Sequence, residues 1–233
     1  MNAGSANHAK LVSRRTAEIC GYIPVLQCYR ITGVSLLALF PLDIVLFPGA
    51  PLPLHIFEPR YKEMVQECLE QKKPFGMVRA NKDALAEVGC TAVIVNVLKK
   101  YDDGRLDITA EGKQRFEIMQ LNQERSFLQG EVLFFDDEPS HVADTDVQTV
   151  VQLHQQLFEI LGQETQTESK QPNVSFQLAS ELPVDLDFKQ ALLEMKSESE
   201  RVTTLIEYYK ATIPKVERSL RVREKASGNG HVH

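Results

Sequence analysis

Leu39-Phe40-Pro41-Leu42-Asp43-Ile44-Val45-Leu46-Phe47-Pro48-Gly49-Ala50-Pro51-Leu52-Pro53-Leu54-His55-Ile56-Phe57-Glu58-Pro59-Arg60 sets five of the chain's 11 prolines among bulky apolar residues. A membrane-crossing helix is excluded here. Pro41, Pro48, Pro51, Pro53 and Pro59 would each remove a helical hydrogen bond, and Asp43, His55 and Glu58 would lie uncompensated in lipid. The stretch reads instead as extended chain with turns, buried in a small β-rich unit, followed by a helix that Pro59 opens as a first-turn residue.

Working outward, Tyr61, Met64, Val65, Cys68 and Leu69 recur at helical spacing, with Lys72 and Lys73 near the C-terminal end of the dipole and Pro74 as a stop. Beyond them, residues 75–79, 90–98, 105–111, 115–120 and 128–135 are short runs rich in β-branched and apolar side chains, separated by turn chemistry. Asp103-Gly104 is the clearest hairpin signal. These elements favour an α+β fold in which a mostly antiparallel sheet curls around one core with a helix against it.

Apolar alternation stops at Asp136-Asp137-Glu138-Pro139, and a helical remainder follows. Val147, Val150, Val151, His154, Leu157, Phe158 and Leu161 mark one helix face, with Asp144 or Thr145 as its cap and Gly162 as its end. Residues 163–173 read as a polar loop, and residues 176–182 and 186–195 as two shorter helices separated near Pro183. Ser197-Glu198-Ser199-Glu200 has capping-box spacing ahead of a last helix, whose Val202, Ile206, Tyr209, Ile213, Val216 and Leu220 form an apolar seam. That seam packs on the preceding helices or, more weakly, on a second copy of the chain; Pro214 is expected to kink the helix.

Four further blocks follow the proline-rich stretch in a recognisable order: Phe75-Gly76-Met77-Val78, Val88-Gly89-Cys90-Thr91-Ala92, Asp103-Gly104-Arg105-Leu106-Asp107-Ile108 and Gly112-Lys113-Gln114-Arg115-Phe116-Glu117-Ile118. Together they resemble the substrate-recognition domain at the N-terminus of the ATP-dependent protease Lon, which also occurs as free-standing proteins. The resemblance is strong over residues 36–138 and looser to about residue 225. It implies a β-rich domain of the PUA-like kind over residues 34–138, a helical subdomain over 139–226 and a tail over 227–233. It also implies a module that engages unfolded or tagged polypeptides and hands them to a degradation machine. A free-standing copy is expected to be an adaptor, a holding factor or the binder of a quite different partner, and the expected location is the cytoplasm. The other classes to weigh are an RNA-binding protein, since PUA-like folds also serve RNA, and a small-molecule site in a cleft between the two parts.

Composition is that of an ordinary globular chain, with 233 residues, 25% charged and 43% hydrophobic, and a net charge of −6 opposes a primarily phosphate-binding role. Cys20, Cys28, Cys68 and Cys90 form no C-x-x-C pair and read as reduced thiols. Residues 1–33 match nothing in the family and lack the compact apolar run of a secretory signal: Arg14 and Arg15 are followed by Glu18, Gly21, Pro24, Gln27 and Arg30. They read as dispensable for folding. A start assigned too far upstream, with Val34 as the true initiator, is the leading account; a lineage-specific tail and a short interaction arm are the others.

No G-x-x-x-x-G-K-[ST] phosphate loop, G-x-S-x-G elbow or H-E-x-x-H helix occurs in the sequence. The expectation is therefore a non-catalytic chain with no cofactor. His55 and His154 read as histidines hydrogen-bonded within the fold, and His231 and His233 as at most an adventitious metal site. Arg115 reads as a residue that locks the fold by bonding loop carbonyls. Glu58, Arg60, Tyr61 and Glu63, where the proline-rich stretch meets the first helix, form the candidate peptide-contact surface, with Tyr61 as either aromatic anchor or core and Arg60 paired with Glu58.

Overall fold

The apolar run from Val34 forms β1 (Val34–Leu42), and the computed structural model describes the chain over residues 33–82, 84–165 and 173–228. The expectations for the N-terminal extension, Cys20, Cys28, the loop segment 166–172, His231 and His233 lie outside these residues. After β1 the prolines act as read from sequence: Pro48 and Gly49 turn the chain into β2 (Pro51–Ile56), and Pro59 stands at the start of α1 (Pro59–Gln71). Lys72 ends that helix in the left-handed conformation, with φ 52°, ahead of Pro74.

β3 (Phe75–Arg79), β4 (Val88–Lys100), β5 (Leu106–Asn122) and β6 (Gln129–Phe135) complete the sheet, in the order β2-β5-β4-β3-β1-β6 with an added β5–β6 pairing. That pairing closes β5, β4, β3, β1 and β6 into a barrel and leaves β2 outside, on the first half of β5. Among the described residues only β1 and β3 run parallel; the other pairings are antiparallel. A closed barrel leaves few unpaired edges, which matters for the site.

The sequence reading placed two strands at 105–111 and 115–120, whereas β5 is one continuous strand. Its first half lies between β2 and β4 and its second half between β4 and β6. Gly112 permits this passage. It sits where a Cβ would come within 2.1 Å of the Phe47 carbonyl oxygen, and its N–H and C=O bond Ala50 and Gly49 at 2.9 and 2.8 Å. At the opposite end of the β4–β5 hairpin, Gly104 takes φ 80° in the expected turn.

Two apolar clusters fill the structure. Leu37, Leu39, Val78, Phe116, Val132 and Phe134 fill the barrel interior. The opposite face, with Phe40, Phe47, Phe75 and Met77, joins α1 and the helical part in one larger cluster. Each fully buried Leu or Phe in these clusters contributes about 1.5–3 kcal/mol.

The helices are α2 (Asp144–Leu161), α3 (Val174–Glu181), α4 (Leu186–Glu194) and α5 (Glu198–Gly228). Ala143, not Asp144 or Thr145, is the N-cap of α2; Asp144 and Asp146 instead place negative charge in the first turn, where the dipole favours it. Gly162 ends α2 as anticipated. Ser197 accepts a hydrogen bond from the Glu200 amide at 3.3 Å, and α5 continues through Pro214. The α5 seam, with Val202, Tyr209 and Ile213 buried, is covered by α2 and α3. The described residues cluster as one compact unit. No described helix is long and apolar enough to cross a membrane.

Candidate functional site

Glu58 is the N-cap of α1, extended at φ −70° and ψ 136°, and its carboxylate accepts from Arg60 Nε at 2.9 Å and lies 2.7 Å from Nη2. Arg60 stands over the Tyr61 ring at 4.8 Å. Tyr61 itself is only 7% exposed and stacks on Phe40 with ring centroids 4.0 Å apart. Burial raises its phenol pKa, opposed in part by Arg60. Of the two readings of Tyr61, this geometry is that of a core residue. Glu63 accepts from Arg125 at 2.9 Å and from Ser126 at 2.5 Å, tying α1 to the β5–β6 connection. Arg125 also bonds Glu67, which raises the Arg125 pKa and lowers that of Glu67. The four sequence candidates therefore divide: Glu58 and Arg60 face outward as a pair, Glu63 is engaged, and Tyr61 is inside.

Beside that pair lies a group of side chains that local sequence does not bring together. His55 of β2, Asp107 of β5 and Lys99 of β4 stand in one cross-strand row. An ionised carboxylate only accepts, so His55 Nδ1 carries the proton and donates to Asp107 Oδ1 at 2.5 Å; Tyr101 donates to Oδ2 at 2.8 Å. The bond from His55, then that from Tyr101, holds the Asp107 pKa below the usual carboxylate range. Lys99 Nζ and the Arg105 guanidinium lie over the Tyr101 ring at 4.4 and 4.8 Å. Phe57 stacks beside His55 at 6.0 Å and is 58% exposed. Val95 and Leu98, 54% and 61% exposed, fall at the two register shifts of the outer part of β4. Lys62 of α1 donates to the Asp103 carbonyl at 2.9 Å, joining the first helix to the hairpin tip.

Tyr101, Phe57, Val95 and Leu98 were not singled out from sequence. The signal was present in the Asp103-Gly104 turn, because a hairpin folded there sets Lys99 opposite Asp107 and puts Tyr101 at the tip.

Arg115 bonds carbonyls, as its position before Phe116 led us to expect. Its Nη1 donates to Leu193 and Met195 oxygens at 2.9 and 2.6 Å, and its Nη2 to Asp137. Arg201 donates to the same Asp137, to Met195 O at 2.8 Å, to Ser175 Oγ at 2.8 Å and to Glu198 at 2.6 Å. Burial lowers the Arg115 pKa, with Asp137 opposing. This network joins sheet to helices and is structural.

Near it, an open pocket of about 340 Å³ is lined by Glu87, Val88, Glu117, Phe135, Glu194 and Lys196. Its size is at the lower end for small-molecule sites, and it gathers carboxylates without a nucleophile beside a base. Among the described residues no group of His, Cys, Asp and Glu could hold a metal ion. His154 is buried within the helical part, where Tyr209 O–H donates to Nδ1 at 2.7 Å and Nε2–H donates to Glu181 at 3.1 Å. Cys68 and Cys90 are free and buried, and burial pushes their thiols up to about 11 and about 12.

Comparison with known proteins places this architecture. Lon protease 1 of Hydrogenovibrio crunogenus is 26% identical over 213 residues, covering 83% of this chain and 26% of that protein. Lon protease of Parabacteroides distasonis is 28% identical over 117 residues, covering 47% of this chain and 14% of that protein. The chain thus spans about a quarter, or less, of the length of these curated relatives. A crystal structure of a Lon N-terminal domain protein from Xanthomonas campestris superposes with TM-score 0.62 at 25% identity, covering 75% of this chain and 98% of that one. The N-terminal domain of Mycobacterium avium complex Lon protease shares the fold, with TM-score 0.56 at 15% identity over 76% of this chain and 98% of that one. With the model of the ATP-dependent protease La (LON) substrate-binding domain matching residues 37–211, the chain belongs to the LON substrate-binding domain family.

Proposed function

We propose that this chain is a non-catalytic recognition module that binds unfolded polypeptide segments in the cytoplasm, as an adaptor or holding factor serving proteolysis. One observation carries the reading: in a member of a substrate-binding domain family, Phe57, next to the Glu58–Arg60 pair, and Val95 and Leu98 of β4 stand exposed. Exposed apolar side chains framed by charge suit an extended apolar segment. Glu58 and Arg60 border the contact surface, while Tyr61 and Glu63 support it from α1.

RNA is the competing ligand, because Tyr101 between Lys99 and Arg105 offers a cation-flanked ring of the kind on which bases stack. Asp102, Asp103, Asp107 and Glu58 are interspersed there, and the net charge of −6 opposes the counterion-release contribution to nucleic-acid affinity. Fluorescence anisotropy at physiological salt, with a labelled unfolded peptide and a labelled single-stranded RNA of similar length, tests the reading. Tighter binding of the peptide supports it, and tighter binding of the RNA overturns it.

A further inference from the structure

We propose that the partner segment is held by side chains around the β4–β5 hairpin and not by strand addition, and that it is an apolar stretch flanked by carboxylates. This inference rests on the reading of the chain as a polypeptide-recognition module and specifies how that module binds.

Closure of the barrel comes first. Around the hairpin, the outer side of β2 and the part of β4 beyond Ala92 lack a neighbouring strand on one side. In β2, Pro51 and Pro53 pair with Glu111 and Thr109 yet have no N–H to donate. Alternation then assigns the ladder to β5 to Leu52, Leu54 and Ile56, and the outward edge keeps one donor, that of His55. In β4 the register shifts at Ile94/Asn96 and at Val97/Lys99, which breaks the even spacing an added strand requires. Neither edge suits a backbone ladder of several residues, so side chains must supply recognition at the hairpin.

Charge then selects the flanks. Arg60 is paired with Glu58, Arg105 with Asp103 and His55 with Asp107. Lys99 packs on Tyr101 and faces Asp107, which already accepts from His55 and Tyr101; among the described residues neither Lys99 nor Lys100 forms an ion pair with a carboxylate, and both stand next to the exposed Leu98. A partner whose apolar residues are bordered by Asp or Glu complements this arrangement, and one bordered by Lys or Arg meets like charge.

The test uses the full chain and three labelled peptides in anisotropy titrations: leucines and phenylalanines flanked by aspartates, the same peptide with alternate backbone amides N-methylated, and the same peptide with lysines for aspartates. The N-methylated peptide is expected to bind nearly as well as the parent. The lysine-flanked one should bind about tenfold more weakly, as should the parent to Leu98→Ser, the size expected for one interfacial anchor. Lys99→Glu combined with Lys100→Glu should reverse the preference between aspartate and lysine flanks. Unchanged melting temperatures confirm that these surface variants are folded. Loss of binding on N-methylation, or indifference to both Leu98→Ser and the flanking charge, overturns the inference while leaving the recognition reading intact. Failure of the parent peptide to bind overturns both.

Discussion

The guanidinium groups of Arg115 and Arg201 converge on one carboxylate, that of Asp137, and both also donate to the Met195 carbonyl, at 2.6 and 2.8 Å. One arginine stands on the sheet and the other on the last helix, 3% and 0% exposed, so Asp137 offsets two buried positive charges. Removing it leaves both without their shared partner. Asp137→Ala is expected to lower the unfolding free energy by about 3–5 kcal/mol, read as a fall in denaturation midpoint. Arg115→Lys should also destabilise, because an ammonium cannot reproduce a fork that reaches two carbonyls and a carboxylate. A change in midpoint indistinguishable from wild type for both variants would refute this role.

His154 gives stability a defined pH dependence. Burial lowers its pKa, against the opposing pull of Glu181. The unfolded chain takes up the proton near the ordinary value of about 6.5, and the folded chain only at lower pH. Between the two values the unfolded state binds more protons, so stability falls as pH drops through that window. Protonation would also cost Nδ1 its acceptor role toward Tyr209. Urea melts from pH 7.5 to 5 should show this slope, and His154→Gln should flatten it; the same slope in both proteins would assign it elsewhere.

Tyr61 and Arg60 should separate cleanly. Tyr61→Ala removes a buried ring stacked on Phe40 and is expected to cost about 3–5 kcal/mol of stability. Arg60→Ala trims an exposed side chain and should leave the melting temperature nearly unchanged. Thermal denaturation of the pair decides the matter, and a Tyr61→Ala protein as stable as wild type would return Tyr61 to the contact surface.

Local chemistry made much of this fold legible. Prolines that cannot join a ladder or a helix interior marked the turn into β2 and the start of α1, and helical spacing gave α1, α2 and α5. Glu58 and Arg60 were readable as a pair because they are two residues apart. What failed was non-local. β5 was divided in two because Gly112 looks like a turn until the Phe47 carbonyl is seen against it. Arg115 was recognised by type, but its sharing of Asp137 with Arg201 depends on packing between elements 64 residues apart. The row of His55, Asp107 and Lys99 depends on strand register, which hydrophobic pattern alone did not supply.

Gly112 supplies a direct check on that correction. Gly112→Ala forces a methyl into the Phe47 backbone, and the resulting shift is expected to cost about 1–3 kcal/mol, with the denaturant slope unchanged. A variant of wild-type stability would show that β5 does not need this close approach to the β1–β2 connection.

Purified protein is expected neither to hydrolyse ATP nor to degrade casein, since its sequence contains no phosphate loop and its polypeptide binding should be indifferent to nucleotide. ATP-dependent proteolysis that follows the chain through size exclusion, with contaminants controlled, would overturn the non-catalytic reading.

Amide chemical-shift mapping of ¹⁵N-labelled protein during titration with an unfolded apolar peptide tests polypeptide recognition at the hairpin most directly. Saturable shifts should centre on His55, Phe57, Val95, Leu98, Lys99 and Tyr101. Shifts confined to the pocket of Glu87, Glu117 and Glu194, or no saturable shifts at all, would contradict it.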